Sequence, residues 1–276
     1  MDQDDPKKPE FATWSSYQRF AQGVRHGRRY VYEPIARAFL DTVSATLRDR
    51  DVEVPKGTIL YRAQQGIDYG DHTDESGTVI ESVVPVAFGP ERMKPLTTKA
   101  FEGRANATGI AVLYLAIAAE TAIAEVRPWL GSELSVAQFR VLRDLKVIDL
   151  TRGHDKSSLE LMNFTVLLGE REATPEEKQK AVWTDIDAAF SRPVTAHGDS
   201  AEYVPTQILA ELFASLGYEG LIYRSNFGDE GYNLALFDID AAKAINAAPY
   251  RVTGVKVCFE EYGNRWFSRE EPKSGA

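Results

Sequence analysis

Residues 110–128 read IAVLYLAIAAETAIAEVRP, and this stretch decides the fold class. IAVLYLAI at 110–117 is a continuous apolar run suited to a buried strand. AAETAIAEV then places Ala119, Ala122, Ile123 and Val126 on one helical face until Pro128 stops it. The spacing predicts a strand feeding directly into a helix.

Downstream, ELSVAQFRVLRDLKVIDL at 133–150 alternates as two strands around an Arg143-Asp144 turn, and 158–192 reads as helical. Thr174-Pro175-Glu176-Glu177 supplies an N-cap, a proline at the first helical position and acids in the first turn. YVPTQILAELFASLGYEGLIYRS at 203–225 predicts a helix, a stop at Gly217 and a strand; YNLALFD at 232–238 predicts the next strand, and 251–260 the last. Upstream, PKGTILYRAQ at 55–64 predicts a first strand at about 58–63. The glycine- and proline-punctuated residues 64–109 exceed the usual loop of about 4–6 residues, a length that commonly marks a functional or mobile segment. Between Trp14 and Leu47 apolar residues recur at spacings of three and four, which predicts two amphipathic helices. Strands and helices mix without regular βαβ alternation, so the class is α+β.

The chain has 276 residues and 43% hydrophobic content, enough to bury a proper core and to exclude a disordered chain. With 32 Lys plus Arg against 41 Asp plus Glu the formal charge is −9, which argues against a protein that coats nucleic acid. No stretch approaches the roughly 18 apolar residues that span a bilayer, and MDQDDPKKPE carries no secretory apolar segment, so a cytoplasmic location is expected. The one cysteine, Cys258, excludes an intramolecular disulfide and is expected to be a buried strand residue. His26, His72, His154 and His197 show no metal-ligand spacing, so no metal is expected. Residues 1–10 and 268–276 are polar ends without periodicity and are left out of the fold.

Neither GxGxxG after a strand nor a P-loop, GxSxG or CxxC motif occurs. Several blocks in order nonetheless resemble one family: LYRAQ at 60–64, GRANATGIAVLYLA at 103–116, ETAIAEVRP at 120–128, EYVPTQILAE at 202–211, and GLIYRS with YNLALFD at 220–238. The chain resembles RES-domain proteins, a family that includes NAD-destroying toxins of toxin–antitoxin pairs and whose core is similar to that of ADP-ribosyltransferases. The resemblance covers about residues 55–260. It implies an ADP-ribosyltransferase-like mixed β-sheet core with flanking helices. The chain then divides into an N-terminal helical accessory segment at 1–54, a RES domain at 55–262 and a polar tail at 263–276.

The family arginine falls on Arg62, whose planar guanidinium suits bidentate capture of a pyrophosphate that an acidic protein otherwise repels. A surface salt bridge is the plainer role. The family glutamate is one of two on the helix, Glu120 and Glu125, which lie about 140° apart around it and cannot serve from one face. Glu120 suits the helix start, and Glu125, beside Val126-Arg127-Pro128, matches the family glutamate. Breaking the nicotinamide–ribose bond passes through an oxocarbenium-like state, which a fixed carboxylate stabilises. Ser225 matches the family serine and is expected to hydrogen-bond the nicotinamide ribose or carboxamide, unless it is only a strand-end turn serine.

Arg104 is a second phosphate or ribose contact or a turn-stabilising arginine. Phe101 stacks on nicotinamide or packs in the core, with Tyr61 and Tyr69 as the other aromatic candidates. Tyr203, Thr206, Gln207 and Asn233 support the pocket, unless helix capping and packing explain them. The resemblance thus implies NAD as substrate, cleaved by water or inorganic phosphate, and a cognate DNA-binding antitoxin as partner. Mono-ADP-ribosyl transfer to a protein and a non-catalytic nucleotide- or partner-binding module are the alternatives.

Overall fold

The structure, a computed structural model, describes residues 9–153, 156–192, 200–227, 231–263 and 265. Residues 1–8, His154, His197 and the tail at 268–276 lie outside the described residues. Tyr17, Phe20, Ala21 and Val24 form the buried stripe of α1 (Ser16–His26). α2 (Pro34–Thr46) begins on a proline, which has no amide hydrogen to leave unpaired, and buries Phe39, Leu40 and Val43. Phe20 stacks on Phe39 with ring centroids 4.5 Å apart. These helices share their core with α7 (Pro175–Ser191), α8 (Val204–Ser215) and two sheet strands, through Val182, Ile186, Phe190, Leu209, Phe213, Ile148 and Leu221. Burying each large side chain there contributes about 2 kcal/mol.

The remaining elements are β1 (Asp51–Val54), β2 (Ile59–Gln65), β3 (Asp68–Thr73), β4 (Val79–Val86), α3 (Pro90–Met93), β5 (Leu113–Ala116), α4 (Ala119–Glu125), β6 (Glu133–Val141), β7 (Leu145–Leu150), α5 (Ser158–Leu161), α6 (Phe164–Leu167), β8 (Gly220–Arg224), β9 (Tyr232–Leu236) and β10 (Ala242–Arg251). Eight strands form one sheet in the order β1-β7-β8-β9-β5-β2-β6-β10. Every pairing in it is antiparallel except β7 with β8. The parallel pair needs a long crossover, which the helices α5 to α8 supply. Helices on a large mixed sheet, preceded by two N-terminal helices, make the expected α+β fold.

The strands β6 and β7 flank the Arg143-Asp144 turn as expected, yet they do not pair with each other; they belong to opposite halves of the sheet. The sheet curls so that Ala137, Phe139 and Val141 of β6 and Leu145 and Val147 of β7 enter one buried cluster.

Four expectations need correction. The first strand of the sheet is β1, whose charged DVEV pairs with β7 at the edge, ahead of the strand at 59–65. Residues 64–109 contain a β3–β4 hairpin and the turn of helix α3. The helical reading of 158–192 resolves into α5, α6 and α7, because Asn163 caps one helix and Gly169, at φ +75°, interrupts the next. The last strand is 242–251, not 251–260. β6 pairs with the alanine-rich 242–251, and the alternating RVTGVKVCFE that follows pairs with no strand beyond Arg251 among the described residues; Cys258 is exposed.

The Thr174 cap forms as read: its side chain accepts from the Glu177 amide while the Glu177 carboxylate accepts from the Thr174 amide. Among the described residues no helix is long and apolar enough to cross a membrane.

Candidate functional site

The central strands align one residue each in a row across the sheet. Tyr61 of β2 faces Ala116 of β5, Ala116 faces Asn233 of β9, and Asn233 faces Tyr223 of β8. Directly opposed residues point to the same side of a sheet, so the row makes a floor. α4 lies on this floor because Ala122 packs with Ala63, Ala116, Leu134 and Val136, whose small or slender side chains admit a helix closely. Its last residue is Glu125. Arg127, at φ +47° in the left-handed region rare for residues other than glycine, then turns the chain away. The result is a cavity of about 640 Å³ with Arg62, Arg104, Arg127, Glu102 and Glu125 as its charged residues. That volume suits a ligand the size of a nucleotide.

Glu125 is held by one of its two oxygens. Oε1 accepts from Ser225 Oγ at 2.6 Å and from Asn233 Nδ2 at 2.5 Å. Short hydrogen bonds to a carboxylate are roughly twice as strong as neutral ones, and two of them fix its rotamer. Ser225 in turn accepts from the Phe227 amide at 3.1 Å. Glycine makes this approach feasible. Gly231 accepts from the Ser225 amide at 2.7 Å, and a Cβ on Gly231 would come within 2.5 Å of Thr121 on α4. Any larger residue there pushes β8 and β9 from the helix and Ser225 from Glu125.

Arg62 donates from Nη1 to the Tyr114 carbonyl at 3.0 Å, while its Nε is buried without a partner among the described residues. Burial pulls its pKa down, but a guanidinium stays charged at neutral pH. Arg104 is buried with its guanidinium carbon 5.5 Å from the centre of the Tyr223 ring. The Arg127 guanidinium lies 4.6 Å from the Phe227 ring. An acidic protein thus turns three arginines to one cavity, the local positive potential that an anionic ligand needs.

The structure gathers Tyr61, Arg62, Arg104, Glu125, Tyr203 and Asn233 around the cavity, with Ser225 behind Glu125 and 3% exposed. Glu120 points to solvent, away from it. Phe101 is 90% exposed and Tyr69, on the hairpin, 59% exposed; neither lines the cavity. Thr206 is turned elsewhere and donates to the Tyr203 carbonyl at 2.9 Å. Gln207 acts one step back, its amide donating to the carbonyls of Gly103 and Asn106 at 3.0 Å each and so bracing the turn that carries Arg104.

Two tyrosines join that were not anticipated. Tyr114 accepts from the Ala105 amide at 3.0 Å and donates to Asn106 Oδ1 at 2.7 Å. Tyr223 stands under Arg104. Burial raises the pKa of both phenols, so both remain donors. The signal was a tyrosine inside each apolar strand run, since a buried hydroxyl requires a partner. Among the described residues no group of three or more His, Cys, Asp or Glu is placed to hold a metal ion.

The RES-domain family model matches residues 83–254, more than half of the chain, and the protein belongs to that family. No curated protein sequence matches it. Among solved structures it is similar to the M. tuberculosis MbcT–MbcA toxin–antitoxin complex, at 16% identity and a TM-score of 0.38, over 75% of this chain and 90% of that one.

The hold on Glu125 has a measurable consequence. Asn233→Ala removes one charge-assisted hydrogen bond of about 1.5–3 kcal/mol and is expected to lower kcat for the activity proposed below by about 10–100-fold. KM should change little, because the lost contact positions Glu125 and does not itself bind substrate. Steady-state kinetics beside Ser225→Ala, expected to behave alike, checks this.

Proposed function

We propose that this protein cleaves the nicotinamide–ribose bond of NAD. The observation that carries the reading is the carboxylate of Glu125, clamped through Oε1 by Ser225 and Asn233 in a cavity that also holds Arg62 and Arg104. Its Oε2 is left for the ribose. Arg62 and Arg104 hold the pyrophosphate, and Tyr61 and Tyr223 receive the nicotinamide half. The bond from the ring nitrogen to ribose C1′ breaks with its electron pair going to nicotinamide, which leaves neutral. Positive charge develops on the ribose and Glu125 stabilises it. Water, losing a proton to solvent, or inorganic phosphate then forms the new C1′–O bond.

Ser225 is a positioning residue in this reading. Its hydroxyl proton is committed to Glu125, so it orients the carboxylate and not the nicotinamide directly. Family membership supports extending the proposal to a toxin in the cytoplasm whose cavity mouth a DNA-binding antitoxin covers. Incubation with NAD, with and without phosphate, followed by mass spectrometry of the ribosyl product tests the chemistry. ADP-ribose or ADP-ribose 1″-phosphate is the expected product. Intact NAD under both conditions contradicts the reading, and a modified protein in place of a small product redirects it to ADP-ribosyl transfer.

A further inference from the structure

We propose that a second cavity, of about 290 Å³, between α1, α7 and the start of α8 binds a phosphate monoester through Tyr17, Arg25 and Arg192. It lies beside the first, and Tyr203 lines both. Its volume takes a phosphate with a sugar-sized substituent and is too small for a dinucleotide.

The argument rests on donors without acceptors. Tyr17 is only 6% exposed, lines the cavity, and its hydroxyl makes no hydrogen bond among the described residues. Arg25 Nε is buried with no partner. The Arg192 side chain is exposed and forms no ion pair among the described residues, although Asp185 feels its charge. Arg25 Nε is a buried donor left unpaired, which costs about 1–3 kcal/mol, and with the Tyr17 hydroxyl and the exposed Arg192 lining the same cavity a ligand with several acceptors satisfies all three. Burial raises the Tyr17 pKa, so the phenol is a donor at neutral pH; Arg25 and Arg192 act on it in the opposite direction and Asp185 in the same one, so two cations and one anion surround the hydroxyl.

Two acids also line the cavity; neither hydrogen-bonds these donors among the described residues, although Asp185 acts through its charge on Tyr17 and Arg192. Asp185 accepts from the Ser158 amide at 3.1 Å through Oδ1 and from the Gln18 amide through Oδ2, so both its oxygens are engaged. Glu202 is exposed. Arg25 lies in the last turn of α1 and Arg192 at the C-cap of α7, where a cation is favoured by the helix dipole. The dipole accounts for their charge but gives no partner to the Tyr17 hydroxyl or to Arg25 Nε. Two guanidinium groups and a phenol match a tetrahedral dianion better than a carboxylate.

Thermal unfolding in inorganic phosphate against chloride at matched ionic strength tests the site, for wild type, Tyr17→Phe, Arg25→Gln and Arg62→Gln. Phosphate should stabilise wild type and Arg62→Gln at the same concentration, whereas Tyr17→Phe and Arg25→Gln should need about tenfold more. Equal melting of wild type and Tyr17→Phe in chloride shows that the conservative variant folds. Absence of any phosphate stabilisation, or its loss in Arg62→Gln with retention in Tyr17→Phe, overturns the proposal. Calorimetric affinities for NADP and NAD then assign the source of the phosphate. A loss confined to NADP in Arg25→Gln identifies the dinucleotide's own 2′-phosphate reaching past Tyr203; equal affinities in both proteins identify a separate phosphate ester. None of these measurements requires NAD cleavage, so failure here and failure of the proposed activity are distinguishable.

Discussion

Glu125→Gln is expected to consume NAD about 10³-fold more slowly than wild type, a loss of ~4 kcal/mol of transition-state stabilisation. The substitution keeps the size of the side chain and an oxygen that can accept from Ser225 and Asn233, so the floor and the fold stay in place. What it removes is the negative charge. A neutral amide can hydrogen-bond a ribose hydroxyl in the ground state but cannot balance a cationic sugar, so the effect should fall on kcat, with NAD affinity within a few fold of wild type. Steady-state kinetics with calorimetric NAD binding separates the two. A parallel loss of binding would make Glu125 a ground-state contact, contrary to this account.

Asp187→Ala is expected to give the largest loss of stability, about 3–5 kcal/mol, and to lower Tm by about 10 °C. Asp187 is completely buried. It receives Arg50 on both oxygens, at 2.6 and 3.2 Å, and the Gly153 amide at 2.8 Å, while the Arg50 guanidinium lies 4.3 Å from the centre of the Trp183 ring. This cluster ties the segment after α2, the loop after β7 and α7 together beneath the sheet. Burial pushes the Asp187 pKa up and Arg50 opposes the rise. Truncating the carboxylate leaves Arg50 a buried cation and the Gly153 amide unpaired. Differential scanning calorimetry checks this, and Asp187→Ala combined with Arg50→Met should recover part of the loss, because no charge is then stranded.

The neighbourhood of 110–128 was legible because two periods meet at one point: the apolar run, the 3.6-residue pattern and Pro128 each mark a boundary, and β5 and α4 follow. That Glu120 and Glu125 face different ways was legible from the helical angle, and Glu125 is the one at the cavity. Strand partners were not legible. RVTGVKVCFE alternates better than AKAINAAPYR, but β6 pairs with the latter, and alternation does not report which neighbour a strand will find. The β3–β4 hairpin was hidden by Gly70, Pro85 and the acids around its turn, which read locally as loop. At the site, the contacts of Glu125 span 100 and 108 residues and depend on Gly231 fitting against Thr121, a tertiary fact with no local trace. The same holds for Arg50, whose partner Asp187 lies 137 residues away in the chain.

The most direct measurement is single-turnover release of nicotinamide from NAD by excess enzyme, wild type beside Glu125→Gln. Rapid, stoichiometric release by wild type with release about 10³-fold slower from the variant is the predicted outcome. Equal rates from the two proteins, or no release by wild type, would contradict the assignment of bond cleavage to the carboxylate of Glu125.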